Sequence, residues 1–402
     1  MCHFHDDELA LEVRKSVRCF SLHFINKYQA RIWELRMALF PSSSSTAFED
    51  ISRKIYLLRL PLIFLIVLIH ARYMEIDDYP DRWMRLLSES VLLGKVPHCA
   101  VIFFFVISGY LFTWSEKSGY LNLIQRKGYT LLIPYVIWNT MLMVVHLLCG
   151  LLPYKKLLPA FKYAGMTPWQ VVVRSYGLDM GMPIDVPLWY VRDLLLLFLV
   201  APLLIWLVRR LPLWFTPLLL LGASFFMEDC SVLFFTFGLF CRYWDIDLRP
   251  LSKWWPLFIG APLGYFITAE FTVINWPLML WISVPFYTGI AMLLQRLPNH
   301  MQKHMIHFGE YSFWIYCSHA PVATTLTRVG RSLNYLGMPP VFWVGVNCVI
   351  TVAIIVSCLW VMRRIMPSFV ALLCGSRFPL RSRKKTSVDD EGKHDPNGTQ
   401  AA

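Results

Sequence analysis

"LRLPLIFLIVLIHARY", residues 58–73, is an apolar run with Arg59 near its start and His70 near its end. Read as a helix, the eleven-residue step between them turns about 1,100°, three turns plus roughly 20°, and rises about 16 Å. Arg59 and His70 then share one helix face at opposite depths. A histidine in hydrocarbon is costly, so His70 is expected to point into a helix bundle or a wet cavity, where a neutral imidazole is available as a base. The plainer reading is an interfacial histidine at a helix end, bonded to a neighbour.

The rest of the chain gives that run its setting. Of 402 residues, 56% are hydrophobic and only 16% charged, far more apolar than a soluble domain of this length needs. About ten stretches near membrane-spanning length recur, near 57–74, 96–114, 129–150, 187–208, 211–227, 231–244, 253–271, 274–294, 310–330 and 341–364, the sixth of them short. The expected fold is all-α, a polytopic transmembrane helix bundle of about ten spans, since open strands cannot satisfy their backbones in lipid. Residues 1–55 read as a cytoplasmic N-terminal extension in which Met37 is an alternative start. Residues 56–365 read as the transmembrane domain and 366–402 as a largely disordered cytoplasmic tail. The long external loop 151–186, rich in aromatic residues, proline and glycine, reads as an ordered lid or acceptor-side cap.

The net charge of +12 does not call for nucleic acid. Lys117, Arg126 and Lys127 follow the second span, Arg209 and Arg210 the fourth, and Arg363 and Arg364 the tenth, whereas the short loops after the fifth and seventh carry no Lys or Arg, although Arg328 and Arg331 follow the ninth and the longer outer loops carry several. That bias orients a multi-pass membrane protein with both termini expected in the cytoplasm. The ten cysteines are scattered without a CxxC pair and read as small buried hydrophobes. His300, His304 and His307 stand at metal-like spacing without an acidic ligand nearby, and His3 and His5 lie in an exposed terminus, so no metal site is expected. No Walker loop, GxGxxG or HExxH is present.

Six segments, in order, resemble the membrane acyltransferase-3 family. Arg59 and His70 match its R-x10-H pair, "FFFVISGYLF" (103–112) its second-helix signature, and "QRKGYTLLIPYVIW" (125–138) its basic stretch. "PLWYVRDLLLLFLVAPL" (187–203) matches its LWF(L)RDL helix, "LFFTFGLFCRYWDID" (233–247) its glycine-bearing helix, and "YSFWIYCSHAPV" (311–322) its SFxIYxxH segment. The resemblance implies an O-acyltransferase that moves an acyl group, expected to be acetyl, from cytoplasmic acyl-CoA to a hydroxyl of a cell-surface glycan or lipid-linked glycan. Acyl-CoA is then a substrate and no cofactor stays bound. The pattern departs at Ile102, where proline is common, and at Thr130, where a second arginine is common. The resemblance also implies the cell's inner (plasma) membrane, and no appended esterase-like domain is expected after the tenth span.

Under that resemblance Arg59, Arg126 and Lys127 are expected to hold the polyanionic CoA, and His70 to take the acceptor's proton. Arg192 and Asp193, two ionisable groups inside the fourth span, are expected to serve the chemistry, one orienting His70 or the oxyanion and the other locking helices. His319, near mid-membrane, is a catalytic candidate as well as a candidate for a satisfied core histidine, and Pro321 is expected to break its helix and open room there. Trp189 and Tyr190 are candidates for the acceptor pocket or for the interfacial belt. Ser108 is a pocket candidate, although with Gly109 it also reads as a close-packing motif; His146 reads as structural. A transporter of a small acid, with Arg59, His70, Asp193 and His319 along a proton route, is the alternative; internal repeats would favour it, and none is convincing.

Overall fold

Apolar runs punctuated by proline and glycine become helices throughout the computed structural model, which describes residues 44–71, 95–112, 119–150, 165–227, 229–268, 275–338 and 340–375. Met37, His3 and His5, residues 151–164 of the expected lid and the tail beyond 375 lie outside the described residues. No strand occurs among those described, in keeping with the all-α expectation.

Helix α1 (Ser44–Ala71) runs unbroken through Pro61. It is followed by α2 (Val96–Tyr110), then by α3 (Tyr120–Lys127), which passes through a π-helical turn (Gly128–Leu132) into α4 (Ile133–Gly150). A short α5 (Pro168–Ser175) leads to α6 (Trp189–Arg210), α7 (Phe215–Ala223) and α8 (Ser231–Tyr243). The chain continues with α9 (Trp255–Thr268), α10 (Trp276–Leu294), α11 (Asn299–Gly309), α12 (Ser312–Ser332), α13 (Pro340–Ile365) and α14 (Pro367–Leu373).

Each expected span coincides with a helix, but length separates them. Five described segments are long and apolar enough to cross a membrane: Phe48–Ala71, Tyr120–Leu148, Val186–Arg210, Trp276–Leu294 and Phe342–Ile365. Val96–Tyr110 and Ser231–Tyr243 are shorter apolar helices. Hydropathy measures apolarity rather than helix length. The run 211–227 keeps only nine helical residues in α7, flanked by turns at Leu213 and Phe225.

The bundle is organised around α1, which packs against α2, α10, α11, α12 and α13. The tightest neighbouring pair is α2 with α8, and two glycines explain it. A Cβ on Gly109 would fall on the carbonyl of Phe235, and one on Gly238 on the carbonyl of Val106, so each helix lets the other's backbone in. Gly109 thus serves packing, while its neighbour Ser108 turns toward the interior.

Helix α12 does not break at Pro321, contrary to the expectation from sequence. A helix packed along α1 and α13 holds its course without one backbone N–H, as membrane-embedded prolines commonly do. Hydroxyls of Thr324 and Thr325 donate to the carbonyls of Ala320 and Pro321 just beyond, at 2.7 Å each.

Candidate active site

Two helices that run side by side in the same direction set the site. Arg59 on α1, Glu310 just after α11 and Ser312 at the start of α12 line one end of a cavity of about 240 Å³. Lys127, at the entry to the π turn, lines it from the opposite side, its ammonium 4.9 Å from the centroid of the Phe198 ring. A π turn adds a residue to the helical repeat and so re-aims the side chains that follow, a recurrent device at functional sites.

The far part of the cavity is aromatic. Tyr190 and Tyr316 line it, with ring centroids 6.0 Å apart. Tyr190 shares a hydrogen bond with Ser108 Oγ (2.7 Å) and donates toward the Phe104 carbonyl (3.3 Å). Tyr316 donates to the Pro187 carbonyl, which fixes the ring against the short turn preceding α6. The wall between the ends is apolar, including Ile63, Ile66, Leu131 and Leu194. A slender chain suits it better than a sugar or a nucleotide, because pockets for compact drug-sized ligands run to about 300–1,000 Å³.

One turn beyond Ile66 on α1 stands His70, and one turn beyond Tyr316 on α12 stands His319. Their rings meet edge to face, centroids 4.9 Å apart. His319 is fully buried, and its Nδ1 lies 3.0 Å from the Ile315 carbonyl and 2.8 Å from that of Tyr316. A ring nitrogen facing two carbonyl oxygens must carry the proton, which leaves Nε2 as the lone-pair nitrogen of the neutral ring. Nε2 is buried and has no hydrogen-bond partner among the described residues.

The end of α1 is itself held by a buried polar cluster. Asn347 on α13 donates from Nδ2 to the Ala71 carbonyl (3.3 Å), to the Ala323 carbonyl (3.1 Å) and to Thr327 Oγ1 (2.8 Å). Thr327 donates to Ala71 as well (3.3 Å), and Thr351 donates to Asn347 Oδ1 (3.0 Å). Orphan carbonyls at a helix C-terminus need such partners. Here they fix the residue next to His70.

Arg192 and Asp193 are placed differently. The arginine folds back onto its neighbour, Nε donating to Asp193 Oδ1 at 2.8 Å, and its Nη1 donates to the carbonyls of Gly177 (2.9 Å) and Gly181 (2.5 Å). A helix separates adjacent Cβ directions by about 100°, but the long guanidinium stem closes the gap. The pair therefore ties α6 to the loop before it and does not line the cavity. Trp189 also stays outside the lining and packs on Phe105, centroids 5.9 Å apart. Arg126 is exposed on α3 and does not line the cavity, whereas Lys127 does. His146 bonds the Leu142 carbonyl on its own helix (2.8 Å).

Tyr316, Asn347 and Asp185 are among the residues of this region that are not singled out from sequence. Tyr316 had a signal, since it sits one turn before His319. Asn347 had a weaker one, an amide inside a long apolar run. Asp185 had none. It is 1% exposed, its backbone N–H is held by Asn139 Oδ1 (3.2 Å), and neither carboxyl oxygen has a partner among the described residues. Burial pushes its carboxyl well above the usual carboxylate range.

Comparison with known proteins identifies the family. The model of the acyltransferase-3 family, described as an acyltransferase domain, matches residues 53–360. The succinoglycan biosynthesis protein ExoH of Rhizobium meliloti (strain 1021) is 26% identical over 385 residues, covering 88% of this chain and 97% of that protein. No solved structure matches. With its apolar helices and a family match over most of its length, the chain belongs to the acyltransferase-3 family and is a multi-pass membrane acyltransferase.

Proposed function

We propose that the protein transfers an acyl group, acetyl in the simplest case, from cytoplasmic acyl-CoA to a hydroxyl of a polysaccharide or its lipid-linked precursor. The observation that carries this reading is the axial order of the site. Cationic Arg59 and Lys127 stand at one end of a narrow apolar cavity, and the His70–His319 pair stands one turn past the other. The rise of about 16 Å from Arg59 to His70 is comparable with an extended pantetheine arm. The thioester then reaches the histidines while CoA stays on its own side. The charge bias of the loops supports that side, with both termini, being the cytoplasm, and the family membership supports an inner-membrane location. The polysaccharide acceptor is supported by the similarity to a protein named for succinoglycan biosynthesis.

In the proposed step the acceptor oxygen attacks the thioester carbonyl while His70 takes its proton. The C–O bond forms, the C–S bond breaks, and the imidazolium returns the proton to the leaving thiolate. His319, locked with Nε2 open beside His70, steadies the charge that His70 gains. Arg192 and Asp193 hold the loop over the outer end, and Tyr190 with Ser108 shapes the cavity beneath it.

The test uses protein in lipid vesicles with labelled acetyl-CoA and a pooled extract of host glycans. Label on glycan with wild type and none with His70→Ala is the expected result. Equal labelling by both removes His70 from the chemistry, and no labelling with no acetyl-CoA binding removes the donor assignment.

A further inference from the structure

The cavity that would take the pantetheine arm is too small for the nucleotide end of CoA, and a second depression lies one helical turn away. It is an open groove of about 440 Å³ between the first turns of α1 and helix α11, lined in part by Glu49, Arg53, Tyr56, Asn299, Gln302 and Lys303. Tyr56 joins the two. It lines the groove, while the guanidinium of Arg59, which lines the cavity, lies 4.4 Å from the centroid of the Tyr56 ring. We infer that this groove seats the phosphorylated adenosine end of acyl-CoA, an inference that rests on the acyl-CoA reading above.

The groove is prepared for an anion rather than merely basic. Gln302 is 3% exposed and donates from Nε2 to the carbonyls of Gln295 and Leu297, both at 2.8 Å. That leaves Oε1 to accept from Arg53 Nε (3.0 Å), while Arg53 Nη2 donates to Asn299 Oδ1 (3.4 Å). A buried amide thus fixes the plane of an exposed guanidinium, and the guanidinium's remaining donors are oriented before any ligand arrives. Lys303 follows Gln302 on the same helix and adds a second cation. The Tyr56 ring is 45% exposed, with Arg59 over it, and offers a surface on which a purine stacks. Glu49, the acidic group of the lining, can accept from an adenine amine or a ribose hydroxyl. Two cations, an aromatic platform and one carboxylate fit a phosphorylated nucleoside better than inorganic phosphate. A volume within the range of compact ligand pockets admits one.

The experiment measures equilibrium binding of CoA, pantetheine and adenosine 3′,5′-bisphosphate to the full chain in lipid nanodiscs, repeated with zwitterionic and anionic lipid. Wild type should bind CoA at least tenfold more tightly than pantetheine and should bind the bisphosphate in both lipids. Arg53→Gln and Lys303→Gln should each cut the CoA-to-pantetheine preference about tenfold, the effect of one charged hydrogen bond. Lys303, exposed on α11, carries the test alone if Arg53→Gln does not fold. CoA binding in wild type with an unchanged preference in Lys303→Gln overturns the groove assignment and leaves the donor reading standing. Bisphosphate binding lost in both lipids, or replaced by dependence on anionic lipid alone, also overturns it. No CoA binding by wild type overturns both readings.

Discussion

The rings of His70 and His319, 249 residues apart in sequence, meet edge to face with 4.9 Å between centroids, and the His319 tautomer is fixed by carbonyls of its own helix. The roles proposed for the two residues separate their expected phenotypes. His70→Ala removes the proposed base and should lower kcat by about 10²–10⁴. His319→Ala removes a neutral acceptor beside it and should lower kcat by about 10–100-fold, with KM for acyl-CoA little changed. The double variant should be no worse than His70→Ala within a few-fold, because the second residue acts through the first. Steady-state kinetics on the four proteins check this; additive losses would mean that the histidines act independently.

Much of that site could be read from sequence, and the reasons for the rest are specific. The eleven-residue step in one apolar run placed Arg59 and His70 on one face because helix geometry is local. The meeting of His70 with His319 is a long-range event, set by how α12 lies along α1, and no spacing encodes it. The Arg192–Asp193 pair was opaque for a different reason: Cβ directions on a helix are predictable, but a side chain as long as arginine can reverse them. Asp185 was invisible because a loop, not a periodic element, buries it. The number of spans was the least secure reading, since an apolar run such as 211–227 does not announce how much of itself will be helical.

The α2–α8 crossing yields a prediction about stability. Gly238→Ala puts a methyl on the Val106 carbonyl, and neither backbone can yield without opening the contact. Overpacking of this kind costs about 1–3 kcal/mol. Gly222, on α7, has open space where its Cβ would go, so Gly222→Ala should be neutral or stabilising by up to about 1 kcal/mol. Thermal unfolding in one detergent distinguishes them. Equal midpoints for the two variants would show that the crossing tolerates more separation than its geometry indicates.

Asn347 should matter to both stability and turnover. Asn347→Ala leaves the Ala71 carbonyl with Thr327 as its remaining described side-chain partner and removes the acceptor used by Thr351. Leaving buried polar groups unsatisfied costs about 1–3 kcal/mol. Because Ala71 follows His70 directly, transfer should fall more than folded fraction, and with a kcat loss rather than a rise in KM for acyl-CoA. Activity normalised to folded protein checks this; a loss that vanishes on normalisation would reduce Asn347 to a packing role.

Asp185 provides the pH prediction. Its carboxyl is raised in the folded protein by burial, so the folded state holds a proton that the unfolded chain releases near the ordinary carboxylate value of about 3.9. By linkage, the stability this group contributes is fully present below that ordinary value and is lost as pH rises through the higher folded one. The midpoint difference between wild type and Asp185→Asn, whose amide stays neutral, should therefore change across that window in one direction, wild type losing ground as pH rises. Activity should be retained in Asp185→Asn at neutral pH if the residue works as a neutral group there. A difference that is flat with pH would mean that the carboxyl finds a partner for its charge, and a difference of the opposite sign would mean that the folded state favours the anion.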